Sequence, residues 1–331
     1  MKKYFSVALA GMLALLFVGC GDKPSGSATA EKEVYPQRPI ELVIPFGEGG
    51  ASDIFARKFS EFMSKKLPQP VQPINKKGSG GLKGLIYAAS QNNDGYTVLE
   101  ITPSHVIADV MDKSPEVKLL RDFEPLTRIQ SDIYILGVPK NSKFNSFTEL
   151  VEYGKTNIVT FAGISPGGLD DMTLTALADA TGIKIRFIPY KSGSEVKAAV
   201  LGGEVDIYLD KVISAINYIK DGSIKPILVL NDKRIVQIDE FKEVPSSVEL
   251  GYDVTIGSWR GFVIKKGVPE DIKVKLIKTM NEVYNSKEYQ DFAALNLVNI
   301  REGFLDAEAF KADLNKQYKI FDAIAKKVGL K

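Results

Sequence analysis

The sequence of 331 residues is 44% hydrophobic and 25% charged, and its 43 Lys and Arg nearly balance its 41 Asp and Glu. Because these charges are spread along the chain, the sequence does not indicate a nucleic-acid-binding surface or a polybasic membrane patch. The length and the hydrophobic content are sufficient for one large core and favour two.

The N-terminus has the plan of a bacterial secretory signal. Lys2 and Lys3 are followed by an apolar run over residues 5–18 and then by a small residue, Gly19. The run is shorter than the ~20 residues that span a bilayer, so a transmembrane anchor is the weaker interpretation. The sequence therefore predicts a signal peptide over residues 1–19, whose removal leaves 41 basic and 41 acidic residues.

Cys20 is the one cysteine of the chain, so it cannot form an internal disulfide. The segment Phe17–Cys20 resembles the lipobox of bacterial lipoproteins, with Phe17 where Leu is usual, and predicts lipidation of Cys20. A chance cysteine inside a cleaved leader is the alternative. Residues 20–33 are too rich in small and polar residues to fold, and they predict a flexible tether that holds an extracytoplasmic body at the membrane.

Strands and helices alternate through the rest of the chain. Strands are predicted at 39–45, 71–74, 96–101, 133–138, 158–161, 184–188, 205–209 and 227–230, with helices between most of them. Amphipathic helices are predicted at 270–283, 287–295 and 307–327. The alternation indicates an α/β fold with mostly parallel sheets, and its two blocks predict two lobes.

Three loops that lead from a strand into a helix are candidate binding sites. Helix N-termini at these ends of an α/β sheet present free N–H groups and a partial positive charge to anions. The loops supply the candidates Phe46, Gly49, Gly50, Ser52 and Asp53, then Ser165, Gly168 and Asp170, and finally Tyr190, Lys191 and Ser192. For each loop, the alternative is a tight turn in which a Ser or Asp side chain caps the helix.

Enzyme and cofactor motifs are missing from the sequence. His105 is the one histidine, and Cys20 lies in the leader, so a histidine metal cluster and a Cys–His pair are excluded. The glycine-rich segments lack the spacing of a phosphate-binding or dinucleotide-binding loop, and no Gly-x-Ser-x-Gly elbow occurs. A hydrolase that used Ser52 or Ser165 as its nucleophile would lack a base. The sequence predicts a protein without catalytic residues, metal or cofactor.

Short motifs in a fixed order run from residue 35 to the C-terminal part of the chain. They include Tyr35-Pro36-Gln37-Arg38-Pro39, Asp94-Gly95-Tyr96-Thr97, Asp122-Phe123-Glu124-Pro125-Leu126, Pro189-Tyr190-Lys191-Ser192-Gly193 and Ser258-Trp259-x-Gly261-Phe262. Together they resemble the substrate-binding receptors of tripartite tricarboxylate transporters, also called the Bug family. The resemblance covers nearly the whole mature chain.

The resemblance implies a periplasmic-binding-protein (Venus-flytrap) fold, with two α/β lobes joined by crossing strands near 133–138 and 259–264. Lobe 1 is then 34–137 plus 258–331, and lobe 2 is 138–257. It also implies a monomeric, non-enzymatic receptor that binds an organic acid (a di- or tricarboxylate or an amino-dicarboxylate) and delivers it to integral-membrane transporter subunits. A receptor that reports the same ligand to a membrane signalling kinase is the alternative.

The resemblance also assigns the binding loops. By residue match, Phe46–Asp53 is the loop that holds one ligand carboxylate in the family, and the opposite lobe contributes Ser165–Asp171 and Tyr190–Ser192. Two further candidates are Asp210, near the cleft, and Ser104, which precedes a histidine position of the family.

Two adjacent carboxylates depart from the family pattern, which commonly has Gly, Ser, Thr and His in the second loop. Asp170 and Asp171 would repel a second ligand carboxylate and favour an ammonium group. The sequence therefore predicts an amino-dicarboxylate or a monocarboxylate, and the alternative is that either residue only caps a helix. Arg260, where the family often has an aromatic residue, would offset this charge.

Overall fold

A computed structural model describes residues 35–327 and 329–331. Residues 35–331 form one compact unit. The predicted signal peptide, the lipidation site at Cys20 and the tether over residues 20–33 lie outside the described residues. Within the described part, the helices are all too short or too polar to cross a membrane.

Strands and helices alternate along most of the described chain. The strands are β1 (Ile40–Ile44), β2 (Val71–Asn75), β3 (Thr97–Ile101), β4 (Phe123–Ser131), β5 (Tyr134–Pro139), β6 (Ile158–Gly163), β7 (Lys184–Pro189), β8 (Tyr208–Lys211), β9 (Ile224–Val229) and β10 (Trp259–Lys265). The helices are α1 (Ala51–Ser64), α2 (Leu82–Ser90), α3 (Pro103–Val110), α4 (Leu119–Asp122), α5 (Phe147–Thr156), α6 (Leu169–Thr181), α7 (Gly193–Leu201), α8 (Val212–Lys220), α9 (Glu270–Tyr284), α10 (Lys287–Leu295) and α11 (Ala307–Lys327).

The first lobe is built on a five-stranded sheet in the order β2-β1-β3-β10-β4. The strand β1 pairs in parallel with β2 and β3, whereas β10 is antiparallel to both of its neighbours. Helices connect the parallel strands, because a parallel pair needs a long crossover. The strand β10 instead enters this sheet after the whole second lobe, and it runs in the opposite direction.

The second lobe repeats this arrangement. The strand β5 lies between β8 and β9 and is antiparallel to both, while β6 and β7 form a parallel pair. A bridge between Phe161 and Ile207 joins the two groups. The prediction of mostly parallel sheets was wrong, because each crossing strand sits inside its sheet and contributes two antiparallel pairings.

Alternation along the central strands creates two apolar layers in each lobe. In β1, Ile40, Leu42 and Ile44 face one core cluster, and Val43 faces the other. Successive side chains of a strand point to opposite faces, so a sheet covered by helices on both sides favours apolar residues at most positions of its central strands. Phe55, Phe59 and Phe262 stack in the first of these cores with ring centroids 5.1–5.8 Å apart.

Several local assignments differ from the sequence prediction, and the strand β4 is one that was not predicted. The strand predicted at 205–209 begins at Tyr208, because the Asp206 carboxylate accepts the Thr160 N–H at 2.9 Å, a donor that strand pairing would otherwise use. The helix α3 was not predicted, although it begins with Pro103 at its first position and a capping box between Thr102 and His105.

Candidate ligand-binding cleft

A cleft of about 480 Å³ lies between the two lobes. This volume is within the range of small-molecule sites. The first turns of α1, α3 and α6, the junction of β8 with α8, and the crossing strands β5 and β10 form its walls. The lining residues are Phe46, Gly50, Ala51, Ser52, Gly80, Thr102, Pro103, Ser104, Tyr134, Ile164, Ser165, Gly168, Leu169, Asp170, Lys211, Ser258 and Arg260.

A larger cavity, of about 590 Å³, lies at the edge of the second lobe. It is lined mainly by residues 139–143 and 201–203, which belong to that lobe alone. The interlobe cleft instead collects residues from both sheets, at the ends where strands lead into helices. Ligands of open α/β sheets bind at these ends, so the interlobe cleft is the candidate site.

The loop after β1 brings a helix N-terminus to the cleft. Gly49 has a φ of 75°, in the left-handed region that favours glycine, and Gly50 is the N-cap of α1 without a side-chain cap. The N–H groups at the first turn of α1 therefore remain available to an anion, and the helix dipole adds to their attraction. Ser52 presents its hydroxyl on the same turn.

Asp53 stabilises this loop through hydrogen bonds of its carboxylate. Its carboxylate accepts hydrogen bonds from the Gly49 N–H at 2.9 Å, from Arg57 Nε at 2.8 Å and from Asn75 Nδ2 at 2.8 Å. Burial alone would raise the pKa of Asp53, but these donors outweigh it and lower the pKa to about 2. Asp53 is thus an ionised support of the loop, and it does not line the cleft.

The loop after β6 has the same backbone design. Gly167 has a φ of 67°, Gly168 is the uncapped N-cap of α6, and Asp171 accepts the Gly167 N–H at 2.7 Å. A Cβ atom at Gly168 would lie 2.9 Å from the Ser165 carbonyl oxygen, so this position has no room for a side chain. Asp171 therefore holds the loop that precedes α6, and it does not line the cleft.

Asp170 has a different environment from its neighbour Asp171. It lines the cleft, and its Oδ1 accepts the Tyr134 hydroxyl at 2.7 Å. Burial raises the pKa of Asp170, against the opposing effects of the Tyr134 hydrogen bond and of Lys211. One side of the cleft thus carries an acidic acceptor that a cationic or hydroxyl donor on a ligand would satisfy.

The wall of the first lobe carries a buried cation. Arg260 lies in β10, is 4% exposed, and donates from Nη1 to Asp132 Oδ2 at 3.0 Å. Its Nε donates to the Ser52 hydroxyl at 3.4 Å and lies 3.7 Å from Glu100 Oε1. A guanidinium beside an uncapped helix N-terminus is a strong carboxylate-binding arrangement.

His105 is buried behind the wall of the cleft and does not line the cleft. Its ring is fully buried, Nδ1 accepts the Thr102 N–H at 3.1 Å, and burial lowers its pKa to about 4. The neighbouring Gly81 has a φ of 104°, and a Cβ atom there would lie 2.7 Å from His105 Nε2. The neutral imidazole therefore fixes the start of α3, which presents Ser104 to the cleft. Within the described residues, no cluster of His, Cys, Asp and Glu is arranged to hold a metal ion.

Comparison with known proteins decides the family. The family model described as "Tripartite tricarboxylate transporter family receptor" matches residues 55–329. The chain belongs to this receptor family. Protein BugT of Bordetella pertussis (strain Tohama I) is 29% identical over 266 residues, which is 79% of this chain and 81% of BugT.

Solved receptors have the same fold. A TctC solute-binding protein from Polaromonas superposes with a TM-score of 0.77 at 25% identity, covering 89% of this chain and all of that one. The periplasmic binding protein BugD superposes with a TM-score of 0.72 at 27% identity, covering 90% and 99%. The receptor is therefore a periplasmic binding protein with two lobes, and its family acts outside the cytoplasm as non-enzymatic solute-binding components of tripartite transporters.

The structure brings seven of the sequence-predicted residues of the receptor to the cleft. They are Phe46, Gly50, Ser52, Ser104, Ser165, Gly168 and Asp170. Gly49 and Asp53 shape the first loop from outside the lining. Asp210 lies within β8, where its carboxylate accepts the Tyr208 hydroxyl at 3.1 Å.

The third predicted loop lies away from the lining. The Tyr190 hydroxyl donates to Glu204 at 3.0 Å, the Lys191 N–H donates to Glu195, and Ser192 is the N-cap of α7. Each of these groups has a local structural partner. Ligand contact by these residues and by Asp210 stays a prediction.

Sequence reasoning did not assign five polar residues of the cleft lining to the site, namely Thr102, Tyr134, Lys211, Ser258 and Arg260. Tyr134 and Arg260 come from the crossing strands, and Lys211 ends β8. The sequence did contain a signal for Arg260, because this residue stands where the family often has an aromatic residue. Tyr134 and Lys211 had none, since their place in the cleft depends on pairing between distant strands.

Proposed function

We propose that this receptor is an extracytoplasmic lipoprotein that captures a small organic acid in the interlobe cleft and presents it to a tripartite tricarboxylate-type membrane transporter. The observation that carries the proposal is the convergence of the uncapped N-termini of α1 and α6 with Arg260 on one cavity. Backbone N–H groups, helix dipoles and a guanidinium all favour a carboxylate over a neutral solute. Hinge closure of the lobes would then enclose the acid.

The charges around the cleft limit the number of carboxylates on the ligand. Arg260 is already paired with Asp132, and Asp170 on the other lobe would repel a second anionic group nearby. Lys211 is the further cation of the lining. This balance supports a mono- or dicarboxylate that carries an ammonium or hydroxyl group for Asp170, and it disfavours a tricarboxylate.

A matched panel of acids tests the proposal. Succinate, L-malate and L-aspartate share one skeleton and differ at C2 in having hydrogen, hydroxyl or ammonium; propionate, L-lactate and L-alanine repeat the series with one carboxylate. A ligand at 100 times its Kd stabilises the folded protein by about 2.7 kcal/mol, which is readily seen as a rise in Tm. We expect the largest rise from an acid with a donor at C2, and little from citrate. Stabilisation by neutral solutes alone would refute carboxylate capture.

Membrane attachment is the second part of the proposal. It rests on Cys20 and the composition of residues 20–33 in the sequence. Growth of producing cells with a labelled fatty acid should label the protein, and Cys20→Ser should abolish the label. Equal labelling of the two proteins would show that Cys20 carries no lipid.

A further inference from the structure

Glu100 is a buried acid that has no role in the binding site as proposed above. It lies in β3 with 0% exposure, and neither of its carboxyl oxygens has a hydrogen-bond partner among the described residues. An ionised carboxylate that is buried without hydrogen bonds carries a large desolvation cost. The site must therefore either compensate this charge or keep the acid protonated.

Arg260, the positive charge beside Glu100, is already matched by another acid. Arg260 Nη1 lies 3.0 Å from Asp132 Oδ2, whereas Arg260 Nε lies 3.7 Å from Glu100 Oε1. The second oxygen of Asp132 accepts a hydrogen bond from Gln130 Nε2 at 2.8 Å. The guanidinium thus has a close, well-bonded counter-ion without Glu100.

The other charged neighbour makes ionisation of Glu100 less favourable. Burial is the largest effect and raises the pKa of Glu100, whereas Arg260 and the Ser52 hydroxyl lower it. The ionised Asp53 on α1 raises it further, and the net result is a pKa of about 8. The geometry and the charge balance agree that the acid holds a proton at neutral pH.

The proton on Glu100 bears on ligand binding because Arg260 and Ser52 line the cleft above it. A ligand carboxylate at Arg260 would be a further anion beside this guanidinium. Two anions near one cation oppose each other, so an ionised Glu100 would weaken the binding of that carboxylate. By linkage, a bound carboxylate would in turn strengthen proton binding at Glu100.

We infer that Glu100 is a specificity-determining residue of the cleft, which holds one proton and so leaves the guanidinium of Arg260 to accept one carboxylate of the ligand. Asp132 is the directly bonded counter-ion of Arg260, and Glu100 is the more distant acid. The inference rests on the proposed function, since it takes the interlobe cleft as the ligand site. Its two parts, the proton and the carboxylate, are separable by experiment.

The first experiment needs no ligand. The Tm of the purified protein is measured from pH 5 to pH 9 for the wild type, Glu100→Gln and Glu282→Gln, the last being a control at an exposed glutamate of α9. A folded-state pKa above the unfolded value near 4.3 means that stability is full at low pH and is lost as the pH rises through about 8.

We therefore expect Glu100→Gln to melt close to the wild type at pH 5 and progressively above it toward pH 8 and 9, whereas Glu282→Gln follows the wild type throughout. A constant difference between Glu100→Gln and the wild type over this range would overturn the proton on Glu100, whatever the cleft binds.

The second experiment uses L-malate as the probe, because its own groups do not titrate between pH 6 and pH 9. Calorimetric titration of the wild type in two buffers of different ionisation enthalpy counts the protons taken up per malate, and it needs no variant. Because the ligand-free pKa is about 8, we expect uptake of about half a proton per malate at pH 8, rising toward one proton at pH 9, and an affinity that falls by up to about tenfold per pH unit above pH 8. In Glu100→Gln the uptake should vanish, and binding at pH 9 should be tighter than in the wild type.

The outcomes of these experiments distinguish a failure of the proposed carboxylate capture from a failure of the inference about Glu100. Malate binding without proton uptake, or with an affinity that rises with pH, would overturn the role of Glu100 and leave carboxylate capture standing. Failure of malate and of all other acids in the panel to bind would refute the proposed function and, with it, the carboxylate part of this inference. The ligand-free experiment would still decide whether Glu100 holds its proton.

Discussion

The loops after β1 and β6 use one backbone design with opposite chemistry. In each, a glycine with positive φ is followed by a glycine N-cap, and an aspartate four residues after the first glycine accepts its N–H. The residue before that aspartate lines the cleft, and it is Ser52 in one loop and Asp170 in the other. The crossing strands give the two positions different partners, Arg260 and Tyr134.

This difference teaches that the backbone geometry shared by the two loops and the chemistry of their side chains are separable. Gly-Gly-Ala-Ser-Asp at 49–53 and Gly-Gly-Leu-Asp-Asp at 167–171 build equivalent helix N-termini, both suited to anions. One side chain in each loop, with its partner from a crossing strand, then makes the first wall basic and the second acidic. The cleft is polarised, and we expect a ligand to bind in one orientation.

Removing Arg260, the basic group of the first wall, should have the largest effect on ligand affinity. Arg260→Gln deletes the guanidinium and leaves Asp132 buried without its cation, so we expect about a 100-fold loss of affinity for the best acid of the panel, together with a lower Tm. The double variant Arg260→Gln/Asp132→Asn should regain stability without regaining affinity. Recovery of affinity in the double variant would show that Arg260 acts through the fold alone.

Changing Asp170, the acidic group of the second wall, should alter selectivity among ligands more than overall affinity. We expect Asp170→Asn to weaken L-aspartate binding by about tenfold or more, since hydrogen bonds to charged groups contribute roughly 1.5–3 kcal/mol, and to weaken succinate far less. The adjacent Asp171→Asn is the matched control and should leave the ratio of the two affinities unchanged. Equal losses for both acids in Asp170→Asn would contradict an ammonium or hydroxyl contact at Asp170.

The two bracing aspartates should differ in their contribution to stability. Asp53 accepts three hydrogen bonds, whereas the structure gives Asp171 the Gly167 N–H, so Asp53→Ala should cost about 2 kcal/mol and Asp171→Ala about 1 kcal/mol. The pKa of Asp53 lies at about 2, below its usual value, so its contribution is full above pH 4 and is lost as the pH falls toward 2. Acid unfolding of the wild type and Asp53→Ala should therefore converge below pH 2, and parallel profiles would argue against this brace.

Alanine at the two left-handed glycines should have the smallest effects. Gly49→Ala meets no neighbouring atom within 4 Å, so its cost is the backbone strain of about 1 kcal/mol. Gly167→Ala adds a contact of 3.1 Å with Leu330 Cδ1 and should cost more. Gly193→Ala, with ordinary φ and open space, is the control and should leave Tm unchanged or slightly raised. A larger loss at Gly49 than at Gly167 would contradict this ordering.

The sequence alone predicted much of the fold. Amphipathic periodicity located α9, α10 and α11 within a residue or two, and strand–glycine–helix patterns located β1 with α1 and β6 with α6. The ordered motifs identified the family, and with it the two-lobed fold. These signals are local or serial, because periodicity, caps and turn residues act within a few positions of the chain.

The side-chain partners of the cleft residues were decided by the tertiary structure alone. Glu100 meets Arg260 because β3 and β10 are neighbours in one sheet, and Tyr134 meets Asp170 because β5 crosses beside the loop after β6. The same two crossing strands, β5 and β10, pair antiparallel with their neighbours, whereas the sequence predicted mostly parallel sheets. Pairing, register and burial join residues far apart in sequence, so sequence patterns predicted two of the loops that line the cleft but not the charges that these loops meet there.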